Sequence, residues 1–262
     1  MQYSANEGVA LLVLNEPPAN TYSYELMQEL DAAILQARMD ASVHVIVLSG
    51  AGEKFFCAGA TIGMLREATP EYKYYFCLHA NETLNRLEQT PKLVIAALNG
   101  HTVGGGLEVA MAADIRIARK DGGKIGLPEV ALGVLPGTGG TQRLARLVGK
   151  ARALELMIHG KLLSMDEAQA AGLVTEVWDA EKLAGRAFLD AVLEYARQFT
   201  PPQKASAAVG RIKRAVVSGV EAGFNEGLAI ERELQQLLFQ SEDAREGIAA
   251  NLEKRTPSFK GK

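Results

Sequence analysis

Two glutamates, Glu108 and Glu129, each lie beside a glycine-rich turn and are the residues best placed for acid–base chemistry in this chain. Glu108 belongs to Asn99-Gly-His-Thr-Val-Gly-Gly-Gly-Leu-Glu108, where an apolar run ends, three glycines follow at 104–106, and a helical pattern begins. A helix starting near Gly105 opens with N–H groups that have no acceptor within the helix, and with a partial positive charge. Such groups can hold a developing oxyanion, and losing one donor of that kind costs about 10²–10³ in rate. Glu108 follows Gly105 by three positions, so amide and carboxylate share one helical face. Two other readings stay open: first-turn acids often serve only the helix dipole, and strand–glycine–helix turns also bind phosphate.

A second amide donor is suggested by Lys54-Phe-Phe-Cys-Ala-Gly-Ala60-Thr-Ile62, where small residues cluster at 57–60 after an apolar run. Bare backbone suits a site where an N–H must reach a substrate carbonyl, and equally a tight packing turn with no ligand. Glu129, in Gly126-Leu-Pro-Glu129, is the only acid between Asp121 and Glu155, and its neighbours are apolar. Apolar surroundings disfavour the ionised form and move a glutamate towards the range useful for proton transfer. A surface glutamate opening a helix after proline would look the same.

These residues need elements to position them. Val9–Leu14, Val43–Leu48, Leu93–Leu98 and Ile115–Ala118 are short, aliphatic and bounded by turn formers, so they read as strands. Between them, Glu25–Arg38 sets Leu26, Leu30, Ala33, Ile34 and Ala37 on one helical face, and Pro70 opens a helix that Pro91 stops near Gln89. Strands alternating with helices predict an α/β fold. Further on, helices are expected at 139–147, 151–159 and 164–171, the last with Ser164 and Glu167 in capping-box spacing and Gly172 as its stop. A short strand, Leu173–Val177, follows. Pro201-Pro202 marks a boundary, so residues 1–200 read as a core and 201–262 as a helical region with helices at 204–218, 224–240 and 243–254. Those last helices are too few to hold a large core alone and must lie on the main body or on a neighbouring subunit.

Composition excludes other classes. With 48% hydrophobic and 23% charged residues the chain can bury a sizeable core without disulfides or metal. A formal net charge of −3 gives no footprint for nucleic acid. Cys57 and Cys77 form no metal-type spacing with the four histidines and read as buried free thiols in a reducing compartment. Neither a signal peptide nor an apolar run long enough for a bilayer is visible, so a cytoplasmic protein with no membrane partner is expected.

Taken together, Phe-Cys-Ala-Gly-Ala at 56–60, Gly-Gly-Gly-Leu-Glu at 104–108, Leu-Pro-Glu at 127–129 and Gly-Val-Leu-Pro-Gly-Thr-Gly-Gly-Thr-Gln-Arg-Leu at 133–144 resemble the crotonase (enoyl-CoA hydratase/isomerase) superfamily in order and spacing. Asn15–Asn20 resembles its first loop, and the segments 226–233 and 253–261 its C-terminal helices, so the likeness covers essentially the whole chain. The resemblance implies a spiral of ββα units with a C-terminal helical trimerisation region, and a homotrimer or dimer of trimers. It implies that the N–H groups of Ala60 and Gly105 bind a thioester oxygen and stabilise an enolate-like state. Members that keep both glutamates usually add water reversibly across a 2,3-enoyl-CoA; Glu108 would then activate the water, and Glu129 would share it and exchange the α proton. Coenzyme A enters as part of the substrate, with no bound cofactor or metal expected, and its contacts would fall at Ala19, Ala60, Thr61, Ile62 and Lys254.

The chain departs from the family pattern in places. Thr61 and Gly63 stand where many hydratases carry aspartate and lysine, and the first loop reads Asn20-Thr-Tyr-Ser rather than Asn-Ala-Leu. Ile125 replaces a common phenylalanine. A cluster of Tyr72, Tyr74, Tyr75 and Phe76 could either line an acyl pocket or serve packing. Isomerisation, thioester hydrolysis and decarboxylation are the rival reactions within the superfamily. An RNA-binding branch uses a lysine-rich helix, but here residues 70–89 hold only Lys73 and Arg86 as basic groups.

Overall fold

The computed structural model describes residues 1–262. β1 (Gln2–Asn6), a strand that apolar patterning does not reveal, turns back antiparallel onto β2 (Val9–Leu14). α1 (Tyr24–Met39) follows, with Ser23 accepting from Leu26 N at 3.2 Å as its N-cap. Its buried face is Leu26, Met27, Leu30, Ala33, Ile34 and Ala37, the expected stripe plus one methionine.

Three successive turns of chain then have one plan. Each lays a strand in a large sheet, adds a short strand to a small one, and leaves through helix or 3₁₀ turn. The first turn is β3 (Val45–Gly50), β4 (Phe55–Cys57), α2 (Ile62–Glu67) and α3 (Pro70–Gln89). The second is β5 (Leu93–Leu98), β6 (His101–Val103) and α4 (Gly105–Met111). The third is β7 (Ile115–Arg119), β8 (Ile125–Gly126) and a 3₁₀ turn, Glu129–Leu132. The large sheet runs β1-β2-β3-β5-β7-β9, parallel except at β1, with β9 (Glu176–Trp178) at its far edge; the small sheet runs β4-β6-β8. This is the expected spiral of ββα units.

β3 and β5 are buried at every position, as parallel strands covered on both faces must be. Their side chains alternate between two cores. Ile46, Leu48, Val94, Ala96 and Leu98 face α1, α3 and α4, whereas Val45, Val47, Leu93, Ile95 and Ala97 face the other side with Trp178 and Phe188. Two strand expectations shift for local reasons. Val43 is tied by its N–H to Asp40 O, so β3 begins later than expected. Leu173 and Val174 plug the first core instead of opening a strand, which starts only at Glu176.

α5 (Gly140–Val148), α6 (Lys150–Ile158) and α7 (Met165–Ala170) lie close to the expected ranges, and α7 carries the capping box of Ser164 and Glu167. α8 (Ala180–Leu183) and α9 (Phe188–Arg197) complete the layer beyond the large sheet. α10 (Ser206–Val220), α11 (Phe224–Phe239) and α12 (Glu242–Glu253) end the chain. α10 rests on the body: a side chain at Gly210 would strike the Pro91 carbonyl, and Lys213 reaches Asp114 at 2.9 Å. α11 buries no residue at all. The basic ending folds back, with Lys260 and Gly261 N–H donating to the buried Asp243 carboxylate at 2.7 and 2.8 Å. No helix is long and apolar enough to cross a membrane.

Candidate active site

The ββα turns stack their loops at one place because each short strand ends beside the next. Asn20, buried at φ +50°, donates to the carbonyls of Ala51 and Phe55, both at 2.9 Å, and so pins the first loop to the β3–β4 connection. The two loops then run parallel: Tyr22 N donates to Gly59 O at 2.9 Å and Thr61 N to Tyr22 O at 3.1 Å. In such a ladder, the residue between the paired positions presents its N–H to the opposite side. Ala60 is that residue, and its N–H has no acceptor.

The Gly105 N–H at the start of α4 likewise has no acceptor. The two loops abut at this point. Gly59, at φ +88°, lies so close that a side chain there would meet Gly105 N at 2.9 Å, and one at Gly106 would collide with the Cys57 carbonyl. α4 can therefore seat against β4 only with bare backbone on both sides. Every residue of α4 is buried, Glu108 included at 2% exposure. The Cys57 thiol beneath it is pushed up to about 12 by burial, which removes it as a nucleophile.

Glu108 does not lie free along the helix. Its Oε1 accepts from Thr138 N and Gly140 N, both at 2.7 Å, and its Oε2 accepts from the Thr138 hydroxyl. Gly140 opens α5, so one helix start carries the acid and another binds it. A helix-dipole role confined to α4 therefore does not describe this side chain.

Glu129 opens the 3₁₀ turn after Pro128, and its carboxylate packs over Gly104. Its Oε2 is buried and has no hydrogen-bond partner. Burial pushes this carboxyl up to about 7, opposed by a hydrogen bond from its own backbone N–H, helped by the Glu108 charge and opposed again by Lys73. Apolar neighbours around a lone acid pointed to this shift from the sequence.

The acids and both unpaired amides line one cavity of about 730 Å³. Its walls include Tyr22, Ala60, Ile62, Gly105, Glu108, Glu129 and Thr138, with Leu65, Leu132, Val134 and Leu135 as apolar surface. Ala19 and Thr61 are not in that wall; they serve the loop, Ala19 by accepting from Ala58 N at 3.1 Å. Lys254 is also outside it, exposed at the end of α12 with φ +57°. Tyr72, Tyr74 and Tyr75 are exposed and do not line the cavity, while Phe76 is buried and stacks on Tyr22. Among the wall residues, Tyr22, Lys73 and Thr138 were given no place in the site by the sequence reading. Tyr22 was visible as a departure from the first-loop pattern, Thr138 within the 133–144 segment and Lys73 as a basic residue of 70–89.

Comparison with known proteins shows the family to which the chain belongs. Residues 4–262 match the family described as enoyl-CoA hydratase/isomerase. The chain is 38% identical to a short-chain-enoyl-CoA hydratase of Clostridium acetobutylicum, over 94% of this chain and 92% of that one. It is 37% identical to a 2,3-dehydroadipyl-CoA hydratase of Escherichia coli, over 99% and 98%. The crystal structure of an enoyl-CoA hydratase from Geobacillus kaustophilus superimposes with a TM-score of 0.94 at 45% identity, covering 99% of this chain and 96% of that one.

Proposed function

The chain belongs to the enoyl-CoA hydratase/isomerase family and is an enzyme of the enoyl-CoA hydratase kind, and we propose that Glu108 and Glu129 carry its acid–base chemistry beside an oxyanion hole formed by Ala60 and Gly105. One observation carries this reading: two acids and two N–H groups without acceptors line the same cavity. The thioester carbonyl of a 2,3-enoyl-CoA accepts from both N–H groups, which polarises the conjugated double bond. A water held between the carboxylates loses a proton to Glu108 as its oxygen bonds to C3. The displaced electron pair moves through C2 to the thioester oxygen, where the two amides hold it. Glu129 then delivers a proton to C2, and collapse of the enolate restores the carbonyl. One H and one OH are added, and the pair of acids keeps the same proton count. The division of labour follows from the surroundings: Glu108 is fixed by three donors, and Glu129 sits near neutrality, where giving and taking a proton are both accessible.

The acyl group would lie along Leu65, Leu132, Val134 and Leu135, and coenzyme A would leave past Ala60 and Ile62. Ala19 and Thr61 would support that end from behind. Lys254 would serve the phosphates of a neighbouring subunit's substrate, in a homotrimer or a dimer of trimers. Ile212, Val216, Phe224, Phe239 and Leu252 are exposed on the last three helices, an apolar area that such an assembly would cover. Residues 201–262 would then form the assembly region behind the core. Two free cysteines suit a reducing cytoplasm. Nucleic acid is not an expected partner, since Arg86 on α3 is already held by Asp31 at 2.5 Å and Lys73 faces the cavity.

Incubation with crotonyl-CoA tests the reaction: absorbance of the conjugated thioester should fall until equilibrium, with 3-hydroxybutyryl-CoA as product. Release of free thiol would instead assign thioester hydrolysis, and an unchanged spectrum with CoA bound would remove the hydratase reading.

A further inference from the structure

We infer, resting on the hydratase reading above, that Tyr22 is a positioning residue of the reaction: its buried hydroxyl donates to Thr138 and so turns the Thr138 hydroxyl onto Glu108 Oε2. A threonine hydroxyl carries one proton and rotates freely unless its lone pairs are also engaged. Here that proton goes to Glu108. The Tyr22 hydroxyl lies 3.1 Å from Thr138 Oγ1, and with the threonine proton committed, the phenol must be the donor of this bond. The result is a one-way chain from Tyr22 through Thr138 to Glu108.

Several features keep the chain rigid. Tyr22 and Thr138 are each 2% exposed, and the phenol has no other partner. Burial, reinforced by the Glu108 charge, pushes the phenol well above its ordinary range, so it remains a donor. The ring stacks on Phe76 with centroids 5.9 Å apart, and the Tyr22 backbone is paired on both sides with Gly59 and Thr61. The same hydroxyl also lies against Gly105, where any side chain would collide with it. One residue thus touches the anchor of the acid and the glycine that carries an oxyanion amide. It holds the distance between the group that takes the water proton and the group that grips the carbonyl. Geometry of that kind matters most as charge develops, so its loss should appear in kcat rather than in KM.

Tyr22→Phe keeps the ring, the stack and the contact surface, and removes only the donor. The expected result is a kcat for crotonyl-CoA lowered about 3- to 10-fold, with KM within about twofold. Thr138→Val breaks the chain in the middle, so adding Tyr22→Phe to it should cost nothing further, while Thr138→Ser should keep the Tyr22 effect intact. A second arm is independent of turnover. In protein labelled with ¹³C at glutamate side-chain carboxyls, the Glu108 signal, assigned by Glu108→Gln, should move in Tyr22→Phe and in Thr138→Val. The Glu129 signal should stay in place. Additive losses in the double variant, or a Glu108 signal unmoved by Tyr22→Phe, would overturn the proposal. Failure of the wild type to hydrate crotonyl-CoA would remove the hydratase reading instead, leaving the carbon signals to judge the chain.

Discussion

Glu108 and Glu129 face the same cavity from different settings, and the contrast separates two ways of preparing a carboxylate. Around Glu108, two backbone N–H groups and one hydroxyl hold both carboxylate oxygens. Around Glu129 the donors are few: its own backbone N–H and the Lys73 charge oppose burial, and Oε2 has no partner. The first setting fixes position. The second adjusts proton affinity, because a charge with few donors in a half-dry site costs free energy that protonation removes. Two carboxylates of almost the same intrinsic chemistry can thus take different steps of one reaction.

The largest test of this contrast is removal of each acid. Glu108→Gln and Glu129→Gln should each lower kcat by about 10²–10⁴, the usual worth of a general acid or base. They should differ in a second measurement. Exchange of the α protons of butyryl-CoA in D₂O should survive better in Glu108→Gln, because Glu129 is the group assigned to that carbon. Equal loss of exchange in both would erase the distinction.

Next in size is displacement without removal. A Cβ at Gly140 would meet Glu108 Oε1 at 2.9 Å and the Pro136 side chain at 2.7 Å. Gly140→Ala should therefore move the anchored acid and lower kcat by about 10², with binding of a saturated acyl-CoA, followed by calorimetry, changed little.

Then comes pH. In the proposed mechanism hydration needs Glu129 protonated, so log kcat for hydration should level off below about 7, the value to which burial brings this carboxyl, and fall as pH rises beyond it. Dehydration should show the reverse limb. A hydration profile flat from pH 6 to about 9 would take Glu129 out of the proton step.

The smallest expected effect is on stability. Glu129 binds its proton more tightly folded than unfolded, so its folded-state value lies above its unfolded one. Its contribution is fully present below the unfolded carboxylate range and is lost as pH rises through about 7. Glu129→Gln should therefore raise the melting temperature by a few degrees at alkaline pH relative to wild type, and by less at acid pH. Glu108→Gln, which leaves Thr138 and Gly140 donors facing an amide, should lower it throughout.

What could be read from the chain alone followed from local physics. The buried stripe of α1 repeats at helical spacing, Pro70 opens α3, Ser164 and Glu167 close a capping box, and glycines 104–106 announce a backbone contact. Each depends on residues within about one or two helical turns of one another. The strands β4, β6 and β8 were not legible, because two or three residues have no pattern of their own and exist only through pairing with distant chain. The hydrogen bonds that define Glu108 cross 30 and 32 residues, and the Tyr22–Thr138 contact crosses 116. Nothing in the composition of either segment implies the other. Residue types and their order thus determined the kind of chemistry and the family. Which donors hold which acid, and which tyrosine turns inward while three others face solvent, was decided only when the spiral closed and brought its loops to one point.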